Sequence, residues 1–177
     1  MSTKLSVIVL SYNTKDITKT CLEKVFSSLL SAPFSTEIII IDNASEDDSQ
    51  EMILTFQKQH LSAQIQIKTI FNSHNEGFSR GNNQGLRKSE GEYILFLNSD
   101  VSIDQLDWES VLDVFKQSKK LGALTVRVEL SSNKIDPASH RGFPTVWNSL
   151  CYYSKLEAIT KSIPFLNIFF GGYHLTH

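Results

Sequence analysis

The feature that most constrains the fold is the segment of residues 91–100, GEYILFLNSD. Its apolar run is continuous rather than alternating, which is typical of a strand buried on both faces in a parallel sheet covered by helices. The run stops abruptly at Asn98-Ser99-Asp100. Ligands of open parallel sheets bind at the carboxyl ends of the strands, so we expect Asp100 at the rim of a crevice, where its carboxylate can hold a divalent cation. A plain turn is the alternative, because these three residue types favour turns.

Three further segments predict strands of the same sheet, and segments with helical periodicity separate them. Two of these strands are continuously apolar, namely Leu5–Leu10 and Glu37–Ile41. The third, Ile65–Ile70, alternates between apolar and polar residues and is expected at an edge of the sheet. Five helices are predicted. The first runs from Thr14 to Leu30, and the second follows a loop whose Ser45 and Asp48 form a capping pair and continues through Phe56. The third ends at about Lys88, the fourth runs from about Asp104 to Lys119, and the fifth runs from Val146 to Ile159. A fifth strand, Ala123–Val128, is followed by a turn at Ser131–Lys134. This alternation predicts an α/β fold with a Rossmann-like, mostly parallel, doubly wound sheet and helices on both faces.

Length and composition limit the class of protein. A chain of 177 residues with 41% hydrophobic and 20% charged residues is expected to form one globular domain. The net charge of -2 argues against a nucleic-acid partner, because such binders carry a basic excess. Cys21 and Cys151 have no metal-ligand spacing and are expected to be reduced thiols. The N-terminus has no signal-peptide pattern, so the cytoplasm is the expected location.

Polar residues follow three of the predicted strands at what should be one edge of the sheet, namely Asn13, Asp42 and Asp100. Such a gathering is where an α/β sheet builds its ligand crevice. Asp42 can accept a hydrogen bond from an imide N–H, which suits a pyrimidine base, and backbone groups near Ser11 can meet the base's other edge. Residues 72–85 are rich in amides and glycine, which allow close approach to ribose or phosphate, and Arg80 can offset phosphate charge. No GxGxxG or P-loop pattern is present in the sequence.

Four ordered blocks carry a resemblance to a known family. They are residues 6–13 (SVIVLSYN), 40–49 (IIDNASEDDS), 75–85 (NEGFSRGNNQG) and 91–100. In this order and spacing they resemble family 2 glycosyltransferases, and in particular the rhamnosyltransferase-like branch, whose strand-ending motif is often Asn-X-Asp. Residues 141–144 (RGFP) are similar to that branch as well.

The resemblance implies a GT-A fold and transfer of a sugar from a nucleotide-diphosphate donor, dTDP-rhamnose or a UDP-sugar, to a saccharide or lipid-linked saccharide acceptor. It implies inversion and a role in cell-surface polysaccharide synthesis. The nucleotide-binding residues expected from it are Ser11, Tyr12, Asn13, Asp42, Asn43, Asn75, Gly77, Arg80, Asn82 and Ser99. Asp100 and Asn98 would hold Mg²⁺ or Mn²⁺, with the diphosphate completing the shell. Asp47 and Asp48 are interpreted as charges at a helix start.

The general base of the family has no counterpart in the sequence, where Asp136 and Glu157 are the late carboxylates and neither has the expected surroundings. We therefore expect the base beyond His177, and a C-terminally truncated single domain with a nucleotide-binding part, residues 4–128, and an incomplete acceptor-side part, residues 129–177. A non-catalytic nucleotide-sugar-binding module is the alternative, and a nucleotidyltransferase is a weaker third because the glycine-rich basic loop of such enzymes is missing. We expect the apolar run Ile163–Phe170 either to pack on the core or to form a contact surface for a membrane or for a second copy of the chain in a homodimer.

Overall fold

A computed structural model of the chain describes residues 3–104, 106–130, 132, 134–136, 139, 145–160, 165–166 and 169. The chain divides into two compact units, Met1–Lys119 and Lys120–His177. The first contains β1 (Leu5–Ser11), α1 (Lys15–Leu29), β2 (Thr36–Asp42), α2 (Ser49–Gln59), β3 (Ile65–Phe71), α3 (Phe78–Lys88), β4 (Tyr93–Asn98) and α4 (Trp108–Gln117). The second contains α5 (Val146–Tyr153) and α6 (Leu156–Thr160).

The described strands of the first unit form one parallel sheet in the order β3-β2-β1-β4. β3 lies at an edge, which confirms the interpretation of its alternating pattern. β4 lies at the other edge, and most of its side chains are half-buried or exposed, so the expectation of a strand buried on both faces at residues 91–100 is wrong. Its outer edge pairs with no strand among the described residues, so its continuous apolar run does not mark a central strand. The register pairs Ser11 with Asp42, Asp42 with Phe71, and Leu10 with Asn98. The strands therefore end at nearly the same level, and the residues that follow them meet along one edge of the sheet.

Helices cover the two faces of this sheet, which explains why its central strands are apolar throughout. On one face, buried side chains of β1 and β2 such as Val7 and Ile40 pack with α1, with α2 and with Trp108 of α4. On the other face, Ile8, Ile39 and Ile41 form a smaller cluster. Because alternate residues of one strand point to opposite faces, both sets must be apolar.

Two glycines let α3 lie close to the second face. A Cβ atom added at Gly81 would lie 2.5 Å from Leu10 Cδ1, and one at Gly85 would lie 2.6 Å from Ile8 Cγ2. Any larger residue would push the helix away from the sheet or force these side chains aside. The glycines therefore fix the height of α3 above β1 and β2 and, with it, the position of the polar segment before the helix.

The opposite end of the sheet is held by a buried carboxylate. Glu37 of β2 is fully buried and accepts hydrogen bonds from the Ser6 hydroxyl and from the Glu90 N–H at 2.6 Å. Lys68 Nζ of β3 lies 2.7 Å from Glu37 Oε2. Burial raises the pKa of Glu37, but these hydrogen bonds and the lysine charge outweigh it, and the pKa is lowered overall. This cluster joins three strands and the chain entering β4.

The predicted fifth strand is wrong. Residues 123–128 form no strand and stay mostly exposed, and the described part of this region pairs only at an isolated antiparallel bridge between Glu129 and Ile135. The side chains of this run favour strands, but that preference is realised only where a neighbouring strand and a buried face are available. Of the turn predicted at residues 131–134, the structure describes Ser132 and Lys134.

Several helix boundaries also differ from prediction. The proposed Ser45–Asp48 capping pair is wrong, because α2 begins at Ser49 after Asp48, which has a left-handed φ of 59° and makes no capping hydrogen bond. The helix expected from about Asp104 begins at Trp108, because the Asp107 carboxylate caps it by accepting from the Ser110 N–H at 3.0 Å.

The second unit holds the segment that was predicted as one helix up to Ile159. It is divided into α5 and α6 by a turn at Lys155, which has a φ of 62°. Residues 141–144 and most of residues 163–170 lie outside the described residues. The division of the domain near residue 128 stays a prediction.

Candidate functional site

The carboxyl edge of the sheet gathers the polar residues that the sequence placed after its strands. Ser11 and Asp42 are fully buried at the ends of adjacent strands, whereas Asn98 and Asp100 are exposed at the end of β4. Tyr12 is exposed beside Ser11. The edge therefore has a buried polar wall at β1 and β2 and an open, acidic side at β4.

Asp42 has one satisfied and one unsatisfied carboxylate oxygen. Its Oδ1 accepts hydrogen bonds from the Ser45 N–H and from Gln50 Nε2, each at 3.0 Å. Its Oδ2 is buried and has no hydrogen-bond partner among the described residues. A buried carboxylate oxygen without a donor is costly, so this atom marks a place where a ligand donor would be favourable.

Ser11 is anchored on both its side-chain and main-chain atoms. Its hydroxyl oxygen lies 2.8 Å from Thr18 Oγ1 and 3.3 Å from Thr14 Oγ1, both at the start of α1. Its carbonyl oxygen accepts from the Asn43 N–H at 2.9 Å. These bonds fix the end of β1 against α1 and against the loop that follows Asp42.

The loops after β1 and β2 are tied together by reciprocal hydrogen bonds. The Asn13 N–H donates to the Ser45 hydroxyl at 2.9 Å, and Asn13 Oδ1 accepts from the Glu46 N–H at 2.8 Å. Asn13 and Ala44 have left-handed φ values of 53° and 67°. Non-glycine residues adopt this conformation at a cost that surrounding contacts must offset, so the two loops are held in a defined shape.

Asp47 adds a second tie between the same loops. Its Oδ2 accepts from the Lys15 N–H at 2.9 Å, at the first residue of α1, and its Oδ1 accepts from the Ser49 N–H at 3.3 Å. Desolvation raises the pKa of Asp47, but hydrogen bonds from Ser49 and Lys15 outweigh it and lower the pKa overall. The interpretation of Asp47 as a helix-start charge is therefore incomplete, because it also joins α2 to α1.

A chain of amide side chains continues the wall towards α3. Asn43 Oδ1 accepts from Asn72 Nδ2 at 3.0 Å, and Asn43 Nδ2 donates to Asn75 Oδ1 at 2.7 Å. Asn72 Nδ2 also donates to Gln84 Oε1 of α3 at 2.8 Å. The ends of β2 and β3, the loop after β3 and the helix α3 are thereby locked into one polar network.

The remaining residues predicted from the 75–85 block have different surroundings. Gly77 has a φ of 78°, and its N–H donates to Asn75 Oδ1 at 2.8 Å, which turns the chain into α3. Asn82 is buried, and its Nδ2 donates to the Phe78 carbonyl at 3.0 Å within the helix. Arg80 is exposed, and Nη1 of its guanidinium lies 3.6 Å from a carboxylate oxygen of Glu76. Asn75 thus belongs to the polar wall, whereas Arg80 lies on an outer side of α3.

The end of β4 offers oxygen ligands suited to a hard cation. Asn98 and Asp100 are exposed, Ser99 is half-buried between them, and the Asp100 carboxylate forms no ion pair with any residue that the structure describes. Burial raises the pKa of Cys21 to about 11, and the negative charge of Asp100 adds to this shift. Within the described residues, no group of three or more His, Cys, Asp or Glu side chains could hold a metal by itself. One carboxylate and one amide fit Mg²⁺ or Mn²⁺ only if a ligand supplies further oxygens.

Gln50 escaped the sequence analysis entirely, and Asn72 and Gln84 were included only as part of the amide-rich segment 72–85. Gln50 reaches back from α2 to Asp42, and Asn72 and Gln84 complete the amide network. Asn72 directly follows β3, so the rule that selected Asp42 could have selected it too. Gln50 and Gln84 lie inside helices and carry no signal, because their partners are fixed by the tertiary fold alone.

Comparison with known proteins gives matches along most of the chain. The model of the family described as Glycosyl transferase family 2 matches residues 6–174. A curated relative, the poly-beta-1,6-N-acetyl-D-glucosamine synthase of Staphylococcus epidermidis, is 31% identical over 121 residues, which cover 68% of this chain and 27% of the relative. The chain thus spans about a quarter of that relative's length.

Solved structures show the same fold. S. aureus TarS 1-349 in complex with UDP-GlcNAc aligns with a TM-score of 0.61 and 20% identity, covering 82% of this chain and 38% of TarS 1-349. The mannosyltransferase PcManGT from Pyrobaculum calidifontis, in complex with GDP-Man and Mn²⁺, aligns with a TM-score of 0.55 and 19% identity over 73% of this chain and 36% of that protein. Together with the parallel sheet, these alignments confirm the expected GT-A fold.

Proposed function

Because the chain belongs to glycosyl transferase family 2, we propose that its strand-end crevice binds a nucleotide-diphosphate sugar for transfer to a saccharide acceptor. The observation that carries this proposal is the buried, unpartnered Oδ2 of Asp42 at the end of β2. A ligand N–H directed at this oxygen would satisfy it. Transferase chemistry follows from the family, whereas the donor and the acceptor are part of the proposal.

In this proposal, Asp42 recognises the base. Uracil and thymine carry an imide N–H flanked by carbonyl oxygens. The Oδ2 of Asp42 is a matched acceptor for it, because two protein donors hold the other oxygen, Oδ1, and fix the carboxylate in place. The tied loops around Asn13 and Ser45 would keep Asp42 and Ser11 in place before the ligand arrives. A pyrimidine nucleotide, as UDP-sugar or dTDP-rhamnose, is therefore the donor class that we favour.

Asp100 would act at the diphosphate, with Asn98 and Ser99 beside it. A divalent cation bound there supplies charge stabilisation for the departing diphosphate. The exposed carboxylate would contribute one ligand, and diphosphate oxygens would contribute others, so metal binding would depend on the nucleotide. The Mn²⁺ in the PcManGT complex supports a metal in this fold.

Asn43, Asn75, Gly77 and Asn82 would line the path from the base to the donor sugar. Asn43 and Asn75 are held in the amide network, so they need little rearrangement to meet a ribose or a sugar hydroxyl. The part of Arg80 in binding the donor's phosphates stays a prediction. So do inversion and the rhamnosyltransferase-like branch.

The acceptor is proposed to be a growing surface polysaccharide or its lipid-linked precursor. The support is the name of the S. epidermidis relative, a polysaccharide synthase. None of the helices among the described residues combines the length and the apolar character needed to cross a membrane. Action in the cytoplasm or at the inner membrane face, and a homodimer, stay predictions.

The test is a donor-consumption assay that follows release of nucleoside diphosphate from UDP- and dTDP-sugars, with and without saccharide acceptors and Mn²⁺. Acceptor-dependent release supports a transferase, and its loss in Asp100→Ala would place the metal at β4. Donor binding without release in any mixture would instead favour the alternative, a binding module that lacks the general base. Failure of every donor to bind would overturn the proposal.

A further inference from the structure

A polar cleft lies on one side of α3, apart from the crevice at the strand ends. It has a volume of about 360 Å³ and is lined by Glu76, Arg80, Asn83, Gln84 and Arg87. The four helical residues are spaced by three, four and seven positions, which places them along one stripe of the helix. Its lining includes neither Asp42 nor Asp100.

The positive charges of this cleft are poorly balanced. Arg80 approaches Glu76 only to 3.6 Å between nitrogen and oxygen, which is too long for a hydrogen bond. Glu76 is shared with His74, whose Nε2 lies 2.7 Å from its other carboxylate oxygen. Arg87 forms no ion pair with any carboxylate in the part of the chain that the structure describes. Two guanidinium groups thus line one cleft with a single carboxylate, Glu76, as countercharge.

We propose that this cleft binds a phosphate or phosphodiester group carried by the acceptor. Guanidinium groups bind phosphate oxygens through paired, charge-assisted hydrogen bonds, and Asn83 offers further amide donors. This inference rests on the proposed function, because it assigns the cleft to the acceptor rather than to the donor. It therefore places Arg80 at the acceptor's phosphate instead of at the donor's. It implies that the acceptor chain is anionic.

The cleft is joined to the donor crevice through amides. Gln84 lines the cleft and accepts from Asn72, which in turn donates to Asn43 beside Asp42. An anion in the cleft would therefore lie next to the network that positions the crevice. This placement suits an acceptor that must approach a bound donor.

The test is a titration of the chain with inorganic phosphate and with glycerol 3-phosphate, followed by ³¹P NMR line broadening, in the presence of saturating UDP and Mg²⁺, which is diamagnetic and leaves the phosphorus signals readable. UDP occupies the donor crevice, so phosphate binding that persists belongs to another site. We expect Arg87→Ala to weaken this binding at least about tenfold, the scale of losing one charge-assisted hydrogen bond. Lys88→Ala removes the same charge from the neighbouring exposed residue outside the cleft, and we expect a change of less than about twofold.

A second variant gives a signal of opposite sign. Glu76→Gln removes the countercharge while keeping the side-chain shape, so it should tighten phosphate binding, and a mere loss of structure would not do so. Equal affinities of the wild type, Arg87→Ala and Glu76→Gln would overturn the inference, as would phosphate binding that UDP abolishes. Donor binding is measured separately in the same samples, so failure of the wild type to bind UDP would count against the proposed function instead.

Discussion

Replacing Asp42 with asparagine should separate binding from stability. The oxygen of the introduced amide can still accept from Ser45 and Gln50, but the amide nitrogen then takes the place of the unpartnered Oδ2. A ligand imide would meet a donor instead of an acceptor. Losing a hydrogen bond to a charged acceptor costs about 1.5–3 kcal/mol of binding free energy. The loss should lie at the upper end of this range, because the imide N–H of the ligand then faces another donor. We therefore expect UDP to bind roughly 30- to 150-fold more weakly.

Stability should move in the other direction or not at all. An unsatisfied buried polar group costs about 1–3 kcal/mol, and more when it is charged, so exchanging a carboxylate oxygen for a neutral amide relieves part of this cost. We expect the free energy of unfolding to be unchanged or up to about 1 kcal/mol higher, which corresponds to a rise in Tm of about 2–4 °C per kcal/mol for a chain of this size.

The assay pairs calorimetric titration of UDP with urea unfolding followed by circular dichroism. Asp113→Asn is the control, because Asp113 is a carboxylate on α4 that pairs with Lys116 and has no part in the crevice. Unchanged UDP affinity in Asp42→Asn would refute the assignment of the base site. Destabilisation by more than about 2 kcal/mol would show that Oδ2 has a structural partner, since such losses follow from breaking a buried polar pair.

Three further substitutions test the fold and the metal site. Gly85→Ala places a Cβ 2.6 Å from Ile8 Cγ2, so overpacking of about 1–3 kcal/mol should exceed the helix-propensity gain of about 1 kcal/mol, seen as a lower urea midpoint. Glu37→Gln leaves the Lys68 ammonium facing an amide, and we expect a loss of about 2–4 kcal/mol in the same measurement at about pH 7. The pKa of Glu37 is lower in the folded protein than its ordinary value of 4.5. Its contribution to the free energy of unfolding is therefore complete above pH 4.5 and is lost as the pH falls through the lowered pKa of the folded state. The difference in stability between the wild type and Glu37→Gln should shrink over the same fall in pH. Asp100→Ala should remove the strengthening of nucleotide binding by Mn²⁺, about tenfold for one lost ligand contact, in calorimetry.

Each of these substitutions has a matched control. A Cβ added at Gly122 meets nothing within 4 Å, so Gly122→Ala should leave stability nearly unchanged. Glu90→Gln changes the exposed partner of Lys68 and should cost less than about 1 kcal/mol. Asp104→Ala removes an exposed carboxylate that pairs with Lys24, and it should leave the Mn²⁺ effect intact. Equal effects of a substitution and its control would contradict the reasoning behind it.

The sheet and its functional edge could be predicted because their signals are local. Continuous apolar runs correctly indicated β1 and β2 as strands with two covered faces, and the alternating run indicated the edge strand β3. The same reasoning was wrong for β4, which lies at the other edge of the described sheet with Phe96 exposed. Parallel strands bring their carboxyl ends together, so Asn13, Asp42 and Asp100 could be placed on one edge before the register was known.

The rest depends on contacts between segments far apart in sequence. The tie from Asp47 to Lys15 exists only once the loop before α2 lies against the start of α1. The bond from Gln50 to Asp42 exists only once the chain turns back so that α2 meets the end of β2, so neither bond has a pattern in the sequence. The residues of the predicted fifth strand favour strands, but strand formation requires a partner ladder that local composition does not report. Sequence patterns therefore predicted where the crevice lies, but not the hydrogen bonds that hold its residues in place.

The most direct test of the nucleotide site is calorimetric titration of this chain with UDP, dTDP and GDP, each with and without Mn²⁺, with circular dichroism of the same sample as a check of folding. We expect a pyrimidine diphosphate to bind more tightly than GDP and Mn²⁺ to strengthen that binding. A folded α/β chain that binds none of the three, or that binds GDP as well as UDP and dTDP, would contradict the assignment of Asp42 to a pyrimidine base.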